Sequence, residues 1–130
     1  MSDRRPERVY GILVQDGAVF LAKDADGIGL PGGPFPPMAD DRKVELRANL
    51  LDQLGIVGRA IWAQGAFDYR RPGEQRAYFS GFYSVWEWDG EIGAEAGYWL
   101  QPGEIAASGL PPSLKILLAS VLDAKAMRTT

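Results

Sequence analysis

Residues 30–56 read LPGGPFPPMADDRKVELRANLLDQLGI, and this stretch decides the fold. Pro31 restricts Leu30 to an extended conformation, and Gly32 and Gly33 permit a sharp turn. Asp40 or Asp41 can cap a helix that runs to about Leu54, with Gly55 as its C-terminal stop. The stretch therefore predicts the end of a strand, a glycine turn and a helix.

The predicted helix carries apolar and polar surfaces on different sides. A leucine row at i, i+4 and i+8 forms one apolar stripe, and polar side chains share a separate arc. The leucines are Leu46, Leu50 and Leu54, and the polar arc contains Asp41, Glu45, Asn49, Asp52 and Gln53. Val44 and Leu51 add a second apolar patch. We therefore expect the helix to pack between two layers, with its polar arc facing a cleft.

Composition limits the chemistry that is open to this chain of 130 residues, of which 46% are hydrophobic and 24% charged. These values are ordinary for one soluble domain. The chain has no cysteine and no histidine, which excludes disulfides, thiolate nucleophiles, imidazole catalysis and metal sites built on either residue. A net charge of −3 argues against sequence-independent binding of nucleic acid, which needs a basic surface. Any metal would therefore be an oxygen-liking ion such as Mg²⁺ or Mn²⁺.

The N-terminal residues, MSDRRPERVY, are charged and have no apolar core, unlike a signal peptide. No apolar run approaches the roughly 20 residues that a membrane helix needs. We therefore expect a cytoplasmic protein, with one domain over residues 1–130 and a tail at residues 1–8 that could be flexible.

The rest of the chain alternates between β-rich segments and a second helix. Asp16-Gly17 is a strong two-residue turn between two β-rich runs, which predicts a hairpin, and residues 24–29 are expected to form a loop. The predicted strands are 9–15, 18–23, 56–69, 76–88 and 98–100, and the second helix begins after Pro111-Pro112. This order predicts an α/β domain of the α+β type with a mixed sheet.

Several of these segments together resemble the Nudix superfamily, and its MutT-like members in particular. The matching segments are Leu30-Pro31-Gly32-Gly33, Leu54-Gly55-Ile56, Tyr98-Trp99-Leu100 and the helix that begins at Pro111-Pro112. The resemblance covers nearly the whole chain and implies an α/β/α sandwich with a mixed β-sheet. Members of this family hydrolyse nucleoside diphosphates linked to another group, and glutamates on the loop and helix hold the divalent ions.

The sequence departs from the family pattern at these glutamates. Counted back from Gly55, the family's glutamates fall on Asp40, Asn49, Asp52 and Gln53. Two positions thus carry shorter acids and two carry amides, which are uncharged and cannot act as general bases at neutral pH. We therefore expect a degenerate Nudix box.

Candidate site residues follow from the resemblance. It implies catalytic roles for Asp52 and Glu95, with Glu91 as the alternative to Glu95. The implied ligands of Mg²⁺ or Mn²⁺ are Asp52, Glu95 and the carbonyl of Gly32. Glu45 is added as a substitute ligand, because it lies one turn before Asn49 on the same polar arc, at a position where the family usually has a small residue. The candidate substrate-binding residues are Gly33, Lys23 and Phe82, and Arg70, Arg71 and Arg76 could bind phosphate beside the 70–77 turn. Phe82 is included because aromatic faces can stack on a base, although most aromatic residues in 78–88 are expected in the core.

Two functions compete on these residues. One is a divalent-metal-dependent hydrolase of a nucleoside diphosphate derivative, with activity weakened or altered by the lost acids. The alternative is a catalytically inactive module that binds a nucleotide or related metabolite, and a structural or protein-interaction domain is a third reading. The expected partner is a small molecule and neither nucleic acid nor a membrane, and a homodimer is left open. The fold alone does not decide among these functions.

Overall fold

A mixed sheet joins the seven strands of the described residues, 5–24 and 27–129, in this computed structural model. The strands are β1 (Arg8–Gln15), β2 (Ala18–Asp24), β3 (Gly27–Gly29), β4 (Gly32–Pro34), β5 (Val57–Tyr69), β6 (Tyr78–Asp89) and β7 (Gly97–Leu100). The helices are α1 (Arg42–Leu54), α2 (Pro102–Ala107) and α3 (Pro112–Thr129). No helix in these residues is long and apolar enough to cross a membrane.

The central strand β1 connects the two halves of the sheet. The strand order is β3-β2-β1-β6-β5, and β4 and β7 pair with β1 and β2. The β1–β6 pair is parallel and the other pairs are antiparallel. Asp16 and Gly17 have φ of 52° and 77°, as a two-residue hairpin turn requires. The predicted hairpin is confirmed.

Helices cover both faces of the sheet. Along β1, Tyr10 and Ile12 belong to one hydrophobic cluster, which also contains Leu114 and Leu118 of α3. The alternate side chains, Val9 and Leu13, belong to a second cluster together with Leu46 and Leu50 of α1. This alternation follows from the two-residue period of a strand. The predicted α/β/α arrangement with a mixed sheet is confirmed.

Helix α1 begins and ends where the sequence predicts. The Asp41 carboxylate accepts hydrogen bonds from the N–H groups of Lys43 and Val44, at 2.9 and 3.2 Å. Gly55 ends the helix with φ of 70°, and its N–H donates to the carbonyl of Leu51. The second apolar patch is not covered, because Val44 and Leu51 are both about half exposed. The expectation that α1 packs between two layers is therefore wrong for that patch.

Two further elements differ from the sequence prediction. Residues 27–29 of the predicted loop form β3, which pairs with the end of β2, and residues 25–26 lie outside the described residues. Helix α2 was not predicted, although Gln101 and Glu104 form a capping box around Pro102 at its start.

The predicted tail falls partly on described residues. Residues 1–4 lie outside them, whereas Arg8 belongs to β1 and the Arg5 guanidinium donates to the carbonyls of Pro36 and Ala39. The N–H of Glu7 also donates to the carbonyl of Phe79. Residues 5–8 are therefore tied to β6 and to the segment that follows β4.

Candidate functional site

The glycine turn lies against the backbone of β1. Gly32 has φ of 145°, and a Cβ at this position would lie 2.1 Å from the carbonyl oxygen of Val9. A Cβ on Gly33 would lie 2.8 Å from Oδ1 of Asn49. Position 32 therefore excludes a side chain, and the fold requires glycine there. A side chain at position 33 would require only that the end of the Asn49 side chain move.

Helix α1 turns two amide side chains towards this turn. The buried leucines of α1 fix its rotation, which places Gln53 over Gly32 and Asn49 over Gly33. The N–H of Gly32 donates to Oε1 of Gln53 at 3.0 Å, and Nε2 of Gln53 donates back to the carbonyl of Gly32 at 2.6 Å. Nδ2 of Asn49 donates to the carbonyl of Glu45 at 3.0 Å. The two amides are thus engaged with backbone groups.

A cleft of about 540 Å³, here called the first cleft, opens beside Gly32 and Gly33. It is bounded by the glycine turn, the end of β2, the end of α1 and the turn between β5 and β6. Its charged lining residues are Arg8, Lys23, Arg71 and Glu74. Arg8 forms an ion pair with Glu74 at 3.0 Å, and its guanidinium stacks on the Tyr78 ring, 4.1 Å from the centroid. The lining therefore combines three cations with one carboxylate.

A second cleft of about 530 Å³ lies on the other side of the β5–β6 turn. The two clefts share the residues of that turn from Arg71 to Glu74. The second cleft is more apolar, because Ile28, Tyr69, Leu110 and Pro111 contribute to its walls.

Three polar atoms around these clefts are buried without a hydrogen-bond partner among the described residues. They are the hydroxyls of Tyr10 and Tyr69 and Oε1 of Glu74. Burial raises the pKa of Tyr10, and the Glu74 carboxylate raises it further. Burial, followed by the charge of Tyr10, raises the pKa of Tyr69 to about 12.

The structure brings together some of the predicted site residues. Gly32, Gly33 and Lys23 all line the first cleft. Ala96 lines it as well, and its carbonyl accepts from the N–H of Lys23 at 2.8 Å. The loop that carries Glu95 is therefore next to the cleft, but Glu95 and the alternative Glu91 are themselves exposed and outside its lining.

The predicted acidic ligands do not converge. Asp52 is exposed and Glu45 is half-buried, and neither lines the first cleft. Across residues 5–24 and 27–129, no three acidic side chains form a group that could hold a metal ion. The site predicted to be shared by Glu45, Asp52 and Glu95 stays a prediction, and the grouping of the described acids does not support it. The side chains next to the glycine turn, Gln53 and Asn49, are uncharged amides whose nitrogens donate to backbone carbonyls. They bring no negative charge to a divalent cation, which Mg²⁺ sites usually take from one or two carboxylates.

Phe82 is a core residue. It is fully buried, and its ring stacks on Phe67 with centroids 4.4 Å apart and on Tyr10 at 5.9 Å. Both faces of the ring are therefore used inside the protein. The expectation that Phe82 binds substrate is wrong, because its side of β6 faces the cluster under α3.

Sequence reasoning missed Arg8, Tyr10 and Glu74 as site residues. Arg8 was placed in the tail, and Glu74 in a solvated turn. These residues come together because β1 pairs with β6, and a local sequence pattern does not reveal which strands pair. Arg71, a predicted phosphate-binding residue, lines the first cleft, and its Nε donates to the carbonyl of Leu30 at 3.4 Å.

Among the comparisons with known proteins, the one with solved structures identifies the fold. No family model matches the chain, and no curated protein matches it by sequence. Among solved structures, the E. coli ORF135 protein is 25% identical with a TM-score of 0.70, and the match covers 95% of this chain and 92% of that one. MutT from Bacillus halodurans is 15% identical with a TM-score of 0.72, covering 91% and 82% of the two chains. A MutT NUDIX hydrolase from Burkholderia pseudomallei is 17% identical with a TM-score of 0.68, covering 89% and 98%. The chain therefore has the fold of the Nudix hydrolases, as the sequence resemblance predicted.

Proposed function

We propose that this protein binds a nucleotide or a related phosphorylated small molecule in the first cleft without hydrolysing a diphosphate bond. The observation that carries the proposal is the charge of the cleft. Arg8, Lys23 and Arg71 line it against a single acid, Glu74, in a chain whose net charge is −3. A cationic cleft in an acidic protein attracts anions, and phosphate groups are small-molecule anions of this kind.

The size of the clefts and the polar and apolar groups in their walls support the same ligand class. About 540 Å³ is within the usual range for small-molecule sites. Glu74 and Tyr10 also line the first cleft, and a carboxylate and a phenol are suitable hydrogen-bond partners for hydroxyl or amino groups. The more apolar second cleft, with Leu110 and Pro111, could take a flat group at the other end of the same molecule.

A divalent-metal-dependent hydrolase of a nucleoside diphosphate derivative is the second candidate. It is favoured by the shared fold and by Asp52 and Glu45, which remain on α1 where an ion in solution can reach them. Mg²⁺ or Mn²⁺ would be the cofactor in that case. The engaged amides of Gln53 and Asn49 weigh against this candidate.

Titration calorimetry with nucleoside triphosphates, ADP-ribose, dinucleoside polyphosphates and nucleotide sugars tests the proposal. We expect one of these classes to bind, and Lys23→Ala to weaken that binding roughly 10- to 100-fold, since a charge-assisted hydrogen bond is worth about 1.5–3 kcal/mol. Lys115→Ala is the matched control, because Lys115 donates to the carbonyl of Ala106 and lines neither cleft. Failure of every class to bind, or equal binding by the two variants, would refute the proposal.

The same ligands incubated with Mg²⁺ or Mn²⁺ separate the two candidates. We expect no product above that of a blank reaction. Turnover that disappears in Asp52→Ala would establish the hydrolase instead.

A further inference from the structure

The reciprocal pair between Gln53 and Gly32 is complementary in its donors and acceptors. A backbone N–H can only donate and a carbonyl can only accept, so the orientation of the Gln53 amide is fixed by Gly32. Oε1 receives the N–H at 3.0 Å, and Nε2 reaches the carbonyl oxygen at 2.6 Å. The second contact requires a positively polarised group on the side chain at position 53.

A carboxylate could not make this second contact unaided. Its second oxygen would face the Gly32 carbonyl oxygen at a similar distance, and neither atom carries a hydrogen. Such a pair of oxygens is stable only when a proton or a cation lies between them. The amide N–H supplies that positive charge permanently and leaves the pair neutral.

We propose that the Gln53 amide takes the place of a divalent cation in this protein, so that α1 is held to the glycine turn and the first cleft keeps its shape without a metal ion. Asn49, one turn earlier on α1, makes a longer contact of the same kind, because its Nδ2 lies 3.5 Å from the carbonyl oxygen of Pro34 in β4. The acids that remain on α1, Glu45 and Asp52, do not line the cleft. This inference concerns the free protein and does not depend on which ligand binds.

The proposal predicts how a charge at position 53 would behave. In Gln53→Glu, the protonated acid can reproduce the amide contacts, since its O–H can donate to the Gly32 carbonyl. Ionisation removes that donor, so the folded state would raise the pKa of the new carboxyl. A raised pKa gives stability that is present at low pH and is lost as pH rises through the folded pKa. A divalent cation should restore the stability at neutral pH by bridging the carboxylate and the carbonyl.

Thermal unfolding of the full chain tests this without any nucleotide. The proteins are wild type, Gln53→Glu, Gln53→Ala and Gln15→Glu, each with excess chelator or with Mn²⁺, at pH 5 and at pH 7. Gln15 is exposed at the end of β1, so Gln15→Glu is a matched control for the added charge. We expect Mn²⁺ to shift the Tm of wild type and of Gln53→Ala equally. For Gln53→Glu in chelator, we expect a Tm several degrees below that of Gln15→Glu at pH 7, and a smaller difference at pH 5. We also expect Mn²⁺ to raise the Tm of Gln53→Glu by more than that of Gln15→Glu.

Two results would overturn the inference. One is a larger Mn²⁺ shift in wild type than in Gln53→Ala, which would place a bound ion at Gln53 in the natural protein. The other is a Gln53→Glu variant that responds to pH and Mn²⁺ no more than Gln15→Glu does. Because no nucleotide is present, either result leaves the proposed ligand-binding function to its own test.

Discussion

The buried hydroxyl of Tyr69 predicts a specific loss of stability in alkali. Tyr69 is 2% exposed, and its hydroxyl has no hydrogen-bond partner among the described residues. Burial is the main cause that raises the pKa of Tyr69 to about 12. A tyrosine in an unfolded chain has a pKa of about 10, so the folded protein retains this proton more tightly.

The sign and the size of the effect follow from proton linkage. Because the folded pKa lies above the unfolded one, stability is fully present below pH 10 and is lost as pH rises towards 12. For pKa values of about 10 and about 12 in the two states, Tyr69 alone lowers the free energy of unfolding by about 1.4 kcal/mol at pH 11.

Urea denaturation at pH 8 and pH 11 measures this loss in wild type and in Tyr69→Phe. We expect the two proteins to have nearly equal stability at pH 8, since the deleted hydroxyl has no partner. At pH 11, we expect wild type to have lost about 1.4 kcal/mol more than the variant. Tyr98→Phe, which removes a hydroxyl from an exposed ring, is the matched control. If wild type and Tyr69→Phe lost the same stability between pH 8 and pH 11, the reasoning would be refuted. A variant much less stable than wild type at pH 8 would reveal a stabilising partner for the hydroxyl.

Three further substitutions test the placement of individual side chains. Phe82→Ala should lower the free energy of unfolding in urea by about 3–5 kcal/mol if the ring is part of the core, and a loss below about 1 kcal/mol would contradict that placement. Gly32→Ala should give little folded protein, or a loss of roughly 3 kcal/mol or more, because its Cβ would meet the Val9 carbonyl at a strained φ; Gly93→Ala, where a Cβ meets nothing within 4 Å, should behave as wild type. Asp41→Ala should lower the free energy of unfolding by about 1 kcal/mol because the helix cap is lost, whereas Asp41→Asn should retain most of the stability that the cap provides. Equal losses of stability in the two variants, measured in urea, would argue against capping.

The fold was predictable because local signals determine most of its elements. Asp41 and Gly55 are strong helix boundaries, and Asp16-Gly17 is a strong hairpin turn. Helix α2 was missed although its capping box is visible in the sequence, because a helix of six residues has no hydrophobic period to support it. The strand at residues 27–29 depends on pairing with β2, and its own residues give no signal.

The site was less predictable because it depends on contacts between distant segments. Gly32, Gly33 and Lys23, which are candidates from the sequence, line the first cleft, and their binding of a ligand stays a prediction. The acids were placed by alignment position, which cannot report that Asp52 lies outside the lining of the first cleft. Whether Phe82 belongs to the core or to the binding site was uncertain for a related reason. The two-residue period of a strand assigns side chains to its two faces but does not show which face is more deeply buried.

The hydrogen bond that Gly32 donates also has a consequence for local motion. Most backbone amides of the sheet donate to other strands, but the Gly32 N–H donates to Gln53, an exposed side chain. The nearby Gly11 N–H instead donates to the Pro31 carbonyl at 2.8 Å, and a Cβ on Gly11 would touch the core side chains of Leu46 and Val85. Rotation of one solvated side chain is enough to expose the Gly32 amide to water, whereas exposure of the Gly11 amide requires β1 to separate from the glycine turn. Hydrogen exchange at the Gly32 amide should therefore be faster than at the Gly11 amide, although both amides lie along the same edge of β1.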